Sequence, residues 1–300
     1  MTGSDTDKRV LEGPRQMAEG IALQRYGESI LPEDERSLFD PLAIHFLDPG
    51  KLEWARGHPV ETRAMAGDLE RRMPGWSNSI RARVRYFDDV AERAARDGVR
   101  QMVVLGAGYD TRAYRIDAVN DRMRVFEVDR PPILERKAGI LTRTLGAVPE
   151  HVTAVPLDLE HENLWDRLTR AGLFAALSTL FVLEGLVMYL PREAVERLLD
   201  GIARHAPGGS SVLFDSVPQS LADGTLEQEG AGNILAYTVE RGEPILSGFA
   251  EGELEPFLAR LGFSGVTVVP SSEYARMYYH GKNAARPVSS LLTLVHAEAG

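Results

Sequence analysis

The spacing of apolar positions divides the chain near residue 100. Upstream of it the pattern is helical. Met17, Ile21 and Tyr26 fall on one side of a helix over 14–30, short amphipathic stretches follow over 38–70, and a long helical run covers 79–97. Gly98 suits the left-handed position after a helix end. Leu38-Phe39-Asp40-Pro41 is a break, because a residue before proline avoids the α region. Residues 1–13 are polar and are expected to be irregular, and no strand is expected before residue 100.

From residue 100 onward short apolar runs alternate with amphipathic segments. The runs are 101–105, 123–128, 152–155, 179–183, 211–214, 266–269 and 291–295; helical stretches lie at 131–145, 163–171, 191–205 and 251–261. This alternation predicts an α/β fold with a mostly parallel sheet covered by helices on both faces. Residues 217–250 are rich in Gly, Glu and Gln and read as a helical insertion. Length alone suggests two domains of roughly 150 residues. The pattern suggests one core instead: a helical cap over 1–78, and a core over 79–300 carrying a lid-like insertion at about 217–250.

Composition narrows the chemistry. Without cysteine there are no disulfides, thiolate zinc sites or cysteine nucleophiles. A formal charge of −10 disfavours a nucleic-acid partner. The N-terminal stretch lacks the apolar core of a signal peptide and no run of 18 apolar residues occurs, so a cytoplasmic protein without a membrane partner is expected. None of the seven histidines has metal-ligand or catalytic-triad spacing, and no metal is expected.

Four segments carry chemistry. Met102–Leu105 runs into Gly106-Ala107-Gly108-Tyr109-Asp110-Thr111-Arg112, a strand followed by a glycine turn through which a backbone can approach a ligand. A dinucleotide site would need a third small residue where Thr111 stands, and Asp110 would repel a pyrophosphate. Asp110 suits a ligand bearing an ammonium or ribose hydroxyls, which argues against a nicotinamide oxidoreductase. The second strand ends in Asp129, placed to accept from two ribose hydroxyls or to cap the next helix. Asp158 and Leu159 follow the third strand and offer an acceptor and an apolar wall to an adenine. Glu184 interrupts the apolar run Phe181–Pro191 where the fourth strand should end, and Tyr189 reads as core or cleft packing and as a candidate substrate contact.

Together, Arg83-Val84-Arg85-Tyr86-Phe87-Asp88-Asp89, VVLGAGYDTRAYR, FEVDRPPILERK, LDL and LEGLVMYLP resemble the leucine carboxyl methyltransferase family, over residues 76–215. That family is a branch of the class I S-adenosylmethionine (SAM) methyltransferases. The resemblance implies a Rossmann-like fold with a seven-stranded sheet and SAM as cofactor. It assigns the glycine loop to Gly106 and Gly108, the ribose acid to Asp129, the adenine pair to Asp158 and Leu159, and the post-strand acid to Glu184. It gives the methionine carboxylate to Arg83, with Arg81 and Arg85 as competitors. It implies O-methylation of a small molecule of secondary metabolism, through a carboxylate or a polyketide-like hydroxyl. Methylation of a protein C-terminal carboxylate, or silent SAM binding, is the alternative. A nucleic-acid methyltransferase is opposed by charge and by LEGL after the fourth strand. Arg276, Tyr278 and His280 form a further cluster expected to meet the acceptor or to pack the last hairpin, and oligomeric state is left open.

Overall fold

The computed structural model describes residues 3–159 and 162–299. Helix α1 spans Gly3–Ser29, and a 3₁₀ turn at Ala43–Phe46 leads to α2 (Pro49–Gly57), α3 (Pro59–Arg72) and α4 (Trp76–Arg96). The core follows: β1 (Gln101–Leu105), α5 (Arg112–Arg115), α6 (Asp117–Arg122), β2 (Arg124–Asp129), α7 (Pro131–Leu145), β3 (Val152–Pro156), α8 (Leu164–Arg170) and β4 (Thr179–Leu183). Then come α9 (Arg192–His205), β5 (Ser210–Ser216), α10 (Gln219–Ala222), α11 (Ala231–Glu240), α12 (Leu254–Arg260), β6 (Phe263–Val269), α13 (Ser271–Tyr278) and β7 (Thr293–Ala299).

The sheet order is β3-β2-β1-β4-β5-β7-β6, parallel except for β7, which is antiparallel to both its neighbours. β1 and β4 are buried on both faces, which is why Met102–Leu105 and Leu180–Leu183 read as unbroken apolar runs. Alternate residues feed two cores. Met102, Val104, Val125, Leu180 and Val182 pack towards α4 and α13. Val103, Leu105, Phe126, Phe181 and Leu183 pack towards α8, α9 and α12. Each of these fully buried side chains contributes about 1.5–3 kcal/mol. The arrangement leaves one edge free: the carboxyl ends of β1 and β4, where successive crossovers run to opposite sides and open a crevice.

Two boundaries differ from the sequence pattern. Helix α1 begins at Gly3, so the polar segment 3–13 is helical rather than irregular. Residues 1 and 2 lie outside the described residues. Strands β6 and β7 are longer than their apolar runs, because they alternate exposed Glu298 and half-buried His296 with buried Ala297 and Ala299. The predicted insertion holds α10 and α11, and its two ends are held together: Phe249 N donates to Val217 O at 3.0 Å and Gln219 N to Phe249 O at 3.0 Å.

Candidate active site

A cavity of about 430 Å³ opens at the carboxyl edge of β1 and β4. Its floor comes from the sheet and its roof from α1 and the insertion. The turn after β1 places Gly106 at φ +65° and Gly108 at φ +42°, conformations that favour glycine. A Cβ on Gly106 would lie 3.1 Å from Leu186 Cδ1, so the strand end and the turn after β4 touch there.

Asp129 ends β2 and is half-buried at this edge. Its Oδ2 accepts from Gly108 N at 2.7 Å and its Oδ1 from Arg130 N at 2.7 Å, so the carboxylate fixes the glycine turn. It does not cap α7: the first helical positions are Pro131 and Pro132, which have no N–H. Burial raises its pKa against the two backbone donors. Asp158 and Leu159 follow β3 on the same rim, and Leu157 beside them is buried.

Beneath the cavity runs a chain of buried ion pairs. Arg25 of α1 meets Asp40 at 2.9 Å, and Arg115 lies 3.7 Å from Asp40 and 2.7 Å from Asp88. Arg112 binds Asp88 at 2.8 Å, Glu184 at 2.6 Å and Asp110; Arg83 binds Glu184 at 3.0 Å and Asp215 at 2.9 Å. Burial works against ionisation of Asp110, but Arg112, with Lys137 and Arg25 behind it, outweighs burial and holds its pKa at about 2. Glu184 is likewise held low: burial opposes, Arg112 and Arg83 prevail. Asp215 is raised by burial, although Arg83 and the Gly185 N–H, at 2.6 Å, support its charge. Five carboxylates thus face four guanidinium groups, an excess of one negative charge under the cavity.

Arg83, Gly106, Gly108, Asp129, Asp158, Leu159, Glu184 and Tyr189 all line this one cavity. Of the three competing arginines only Arg83 does so. Arg81 pairs with Glu28 at 3.6 Å, and Arg85 with Asp89 at 2.9 Å. Arg83 differs from the free fork that the sequence suggests: its Nε and Nη1 already serve Glu184 and Asp215. Asp110 differs too, since both its oxygens are spent on Arg112. Arg276, Tyr278 and His280 do not line the cavity. α13 lies on the sheet face against α4, where Tyr278 OH donates to Asp89 Oδ2 at 2.9 Å, while Arg276 and His280 are exposed.

Other lining residues escaped the sequence reading. Gln24 and Arg25 come from α1, Tyr237 from α11 and Glu243 from the loop after it. Gln24 Oε1 is buried with no hydrogen-bond partner among the described residues. Burial raises the Glu243 carboxyl to about 7; Asp129 adds to the rise and Arg130 opposes it. Burial also raises Tyr189, with Glu243 adding to it. No signal in the sequence marks these positions, since each reaches the cavity only through the path of α1 or of the segment around α11. Among the described residues no cluster of three acids or histidines could hold a metal ion, and no helix is long and apolar enough to cross a membrane.

This sheet order, with a glycine turn after β1 and an acid closing β2, defines a Rossmann-like class I SAM-dependent methyltransferase fold. The chain belongs to the leucine carboxyl methyltransferase family, whose model matches residues 18–203. It is 40% identical over 194 residues to a Streptomyces coelicolor protein provisionally named an S-adenosyl-L-methionine-dependent methyltransferase, covering 64% of this chain and 65% of that one. The match thus spans just under two thirds of that relative's length. A Mycolicibacterium paratuberculosis protein with the same provisional name is 35% identical over 265 residues, covering 85% of this chain and 78% of the relative. The crystal structure of a DUF574 family protein from Streptomyces avermitilis shares the fold, with a TM-score of 0.57 at 18% identity over 79% of this chain and 90% of that chain.

The cofactor of this class is SAM, and the cavity suits it in three respects. Backbone reaches the cavity at two glycines, an acid stands at the end of β2, and the buried ion pairs carry one excess negative charge, which complements a sulfonium.

Proposed function

We propose that the protein is a SAM-dependent O-methyltransferase acting on a small-molecule acceptor in the cytoplasm. One observation carries this reading: the seven positions that the sequence motifs single out, from Arg83 to Glu184, converge on a single cavity. Asp129 accepts from the ribose hydroxyls with the lone pairs that Gly108 and Arg130 leave open. Asp158 and Leu159 take the adenine. Gln24 Oε1 offers an acceptor to the ammonium group, and Arg83 meets the methionine carboxylate with Nη2, the nitrogen not engaged by Glu184 or Asp215.

Bound SAM supplies a methyl group already activated on a cationic sulfur. What the chain must add is alignment and exclusion of water. Glu184 and Asp215 hold Arg83 from two sides. Met73, Trp76, Ile80, Met188 and Ile234 form an apolar wall beside it, where an acceptor would be desolvated. The family's name favours one second reading, a protein C-terminal carboxylate as acceptor.

Calorimetry with SAM tests the cofactor reading: the wild type should bind, and Asp129→Ala should lose at least about tenfold in affinity. Labelled SAM with a panel of phenols, acids and a carboxyl-terminal peptide then tests transfer. SAM binding without transfer to any of them would favour a silent binder.

A further inference from the structure

The cavity is rich in acid and poor in available cation. Its lining carries Asp110, Asp129, Asp158, Glu184 and Glu243 against three arginines. Arg25 is held by Asp40 and by the Tyr109 carbonyl at 2.5 Å, and Arg83 by Glu184 and Asp215. Arg130 stands at the end of β2, where it faces both Asp129 and Glu243. An acceptor that carries its own carboxylate would meet excess negative charge here. Next to this acidic region the wall is apolar and aromatic, built from Met73, Trp76, Met188, Ile234 and Tyr237.

Glu243 is the one lining acid that makes no side-chain hydrogen bond or ion pair among the described residues. It sits in the loop after α11, held by its backbone N–H to Thr238 O at 3.0 Å. That loop is anchored to the turn after β4, where Leu246 N donates to Met188 O at 2.8 Å. The titratable and charged groups that face Glu243 are Asp129 and Arg130 from the β2–α7 junction and Tyr189 from the turn after β4. It therefore stands on the cavity wall close to both the ribose acid and Tyr189.

We infer that Glu243 is the general base of the reaction, and that the acceptor is an apolar, ring-bearing molecule presenting a neutral hydroxyl such as a phenol. This rests on the methyltransferase reading above and narrows it. The hydroxyl proton passes to a Glu243 carboxylate oxygen while the acceptor oxygen bonds to the methyl carbon. The sulfonium–methyl bond breaks with its electron pair left on sulfur, and Glu243 returns the proton to solvent after product release. A carboxyl near neutral pKa suits this work, being ionised often enough to accept and basic enough to compete.

The test compares 2-naphthol with 2-naphthoate, which share one aromatic body, by calorimetry on the full chain saturated with S-adenosylhomocysteine. At about pH 8.5, with Glu243 ionised, the naphthol should bind at least about tenfold more tightly, since the naphthoate meets a like charge. At about pH 5.5, where Glu243 is protonated, the preference should collapse, and in Glu243→Gln it should be weak at both pH values. Equal or tighter binding of naphthoate at the higher pH, or binding of neither probe, overturns the proposal. A preference unchanged in Glu243→Gln also overturns it. Failure of S-adenosylhomocysteine itself to bind is a different result, because it removes the cofactor reading instead.

Discussion

Arg83 Nε and Glu184 Oε1 stand 3.0 Å apart, joining α4 to the turn after β4 across 101 residues of sequence. Arg83 is buried and Glu184 is half-buried at the cavity, and Arg83 also reaches Asp215 on β5. The helix α4, the turn after β4 and strand β5 are therefore tied by one guanidinium group.

Removing that group leaves Asp215 buried without its guanidinium partner and leaves Glu184 to Arg112 alone. Arg83→Leu should cost about 3–5 kcal/mol of folding stability, readable as a lowered urea midpoint at neutral pH. An unchanged midpoint would show that the three elements do not depend on this side chain.

Gly106 tests the close approach of β1 to the turn after β4. An alanine there takes a left-handed conformation and puts its Cβ 3.1 Å from Leu186 Cδ1. The conformation alone should cost about 1–2 kcal/mol, and weaker binding of S-adenosylhomocysteine should accompany it. Shortening the partner in Gly106→Ala/Leu186→Ala should recover part of the binding but not the conformational cost. Equal binding by the single and double variants would exclude the clash.

Glu243 should make stability depend on pH in an unusual direction. Its folded pKa of about 7 lies above the ordinary 4.5 of a glutamate, so the folded state holds the proton more tightly than the unfolded chain does. The resulting stabilisation is complete below about pH 4.5 and is lost as pH rises through about 7. At about pH 8 Glu243→Gln should thus be more stable than the wild type, by about 2–3 kcal/mol after allowance for partial solvent screening. At about pH 4 the two should be alike. Denaturant titrations at both pH values check the sign, and a variant less stable at the higher pH would contradict it.

The strands could be read from the sequence because a strand buried on both faces must be largely apolar, as Met102–Leu105 and Leu180–Leu183 are. The chemistry-bearing residues stood out for the same reason. Gly106, Asp129 and Glu184 each follow directly on such a run or end it. The antiparallel strands are longer than their apolar runs because they alternate, and the sequence left Arg276, Tyr278 and His280 between acceptor contact and packing because chemical type says nothing about which face of the sheet a helix covers.

The sequence by itself determined the α/β class, the Gly106–Gly108 turn, the acids at the strand ends and the resemblance that connects them. Each depends on a local pattern of a few residues. Only the tertiary structure decided that Arg83 is shared between Glu184 and Asp215, that Gln24 and Glu243 reach the cavity, and that its acids outnumber its arginines. Those are properties of side chains brought together from distant segments, where burial and neighbouring charge set what each group can do.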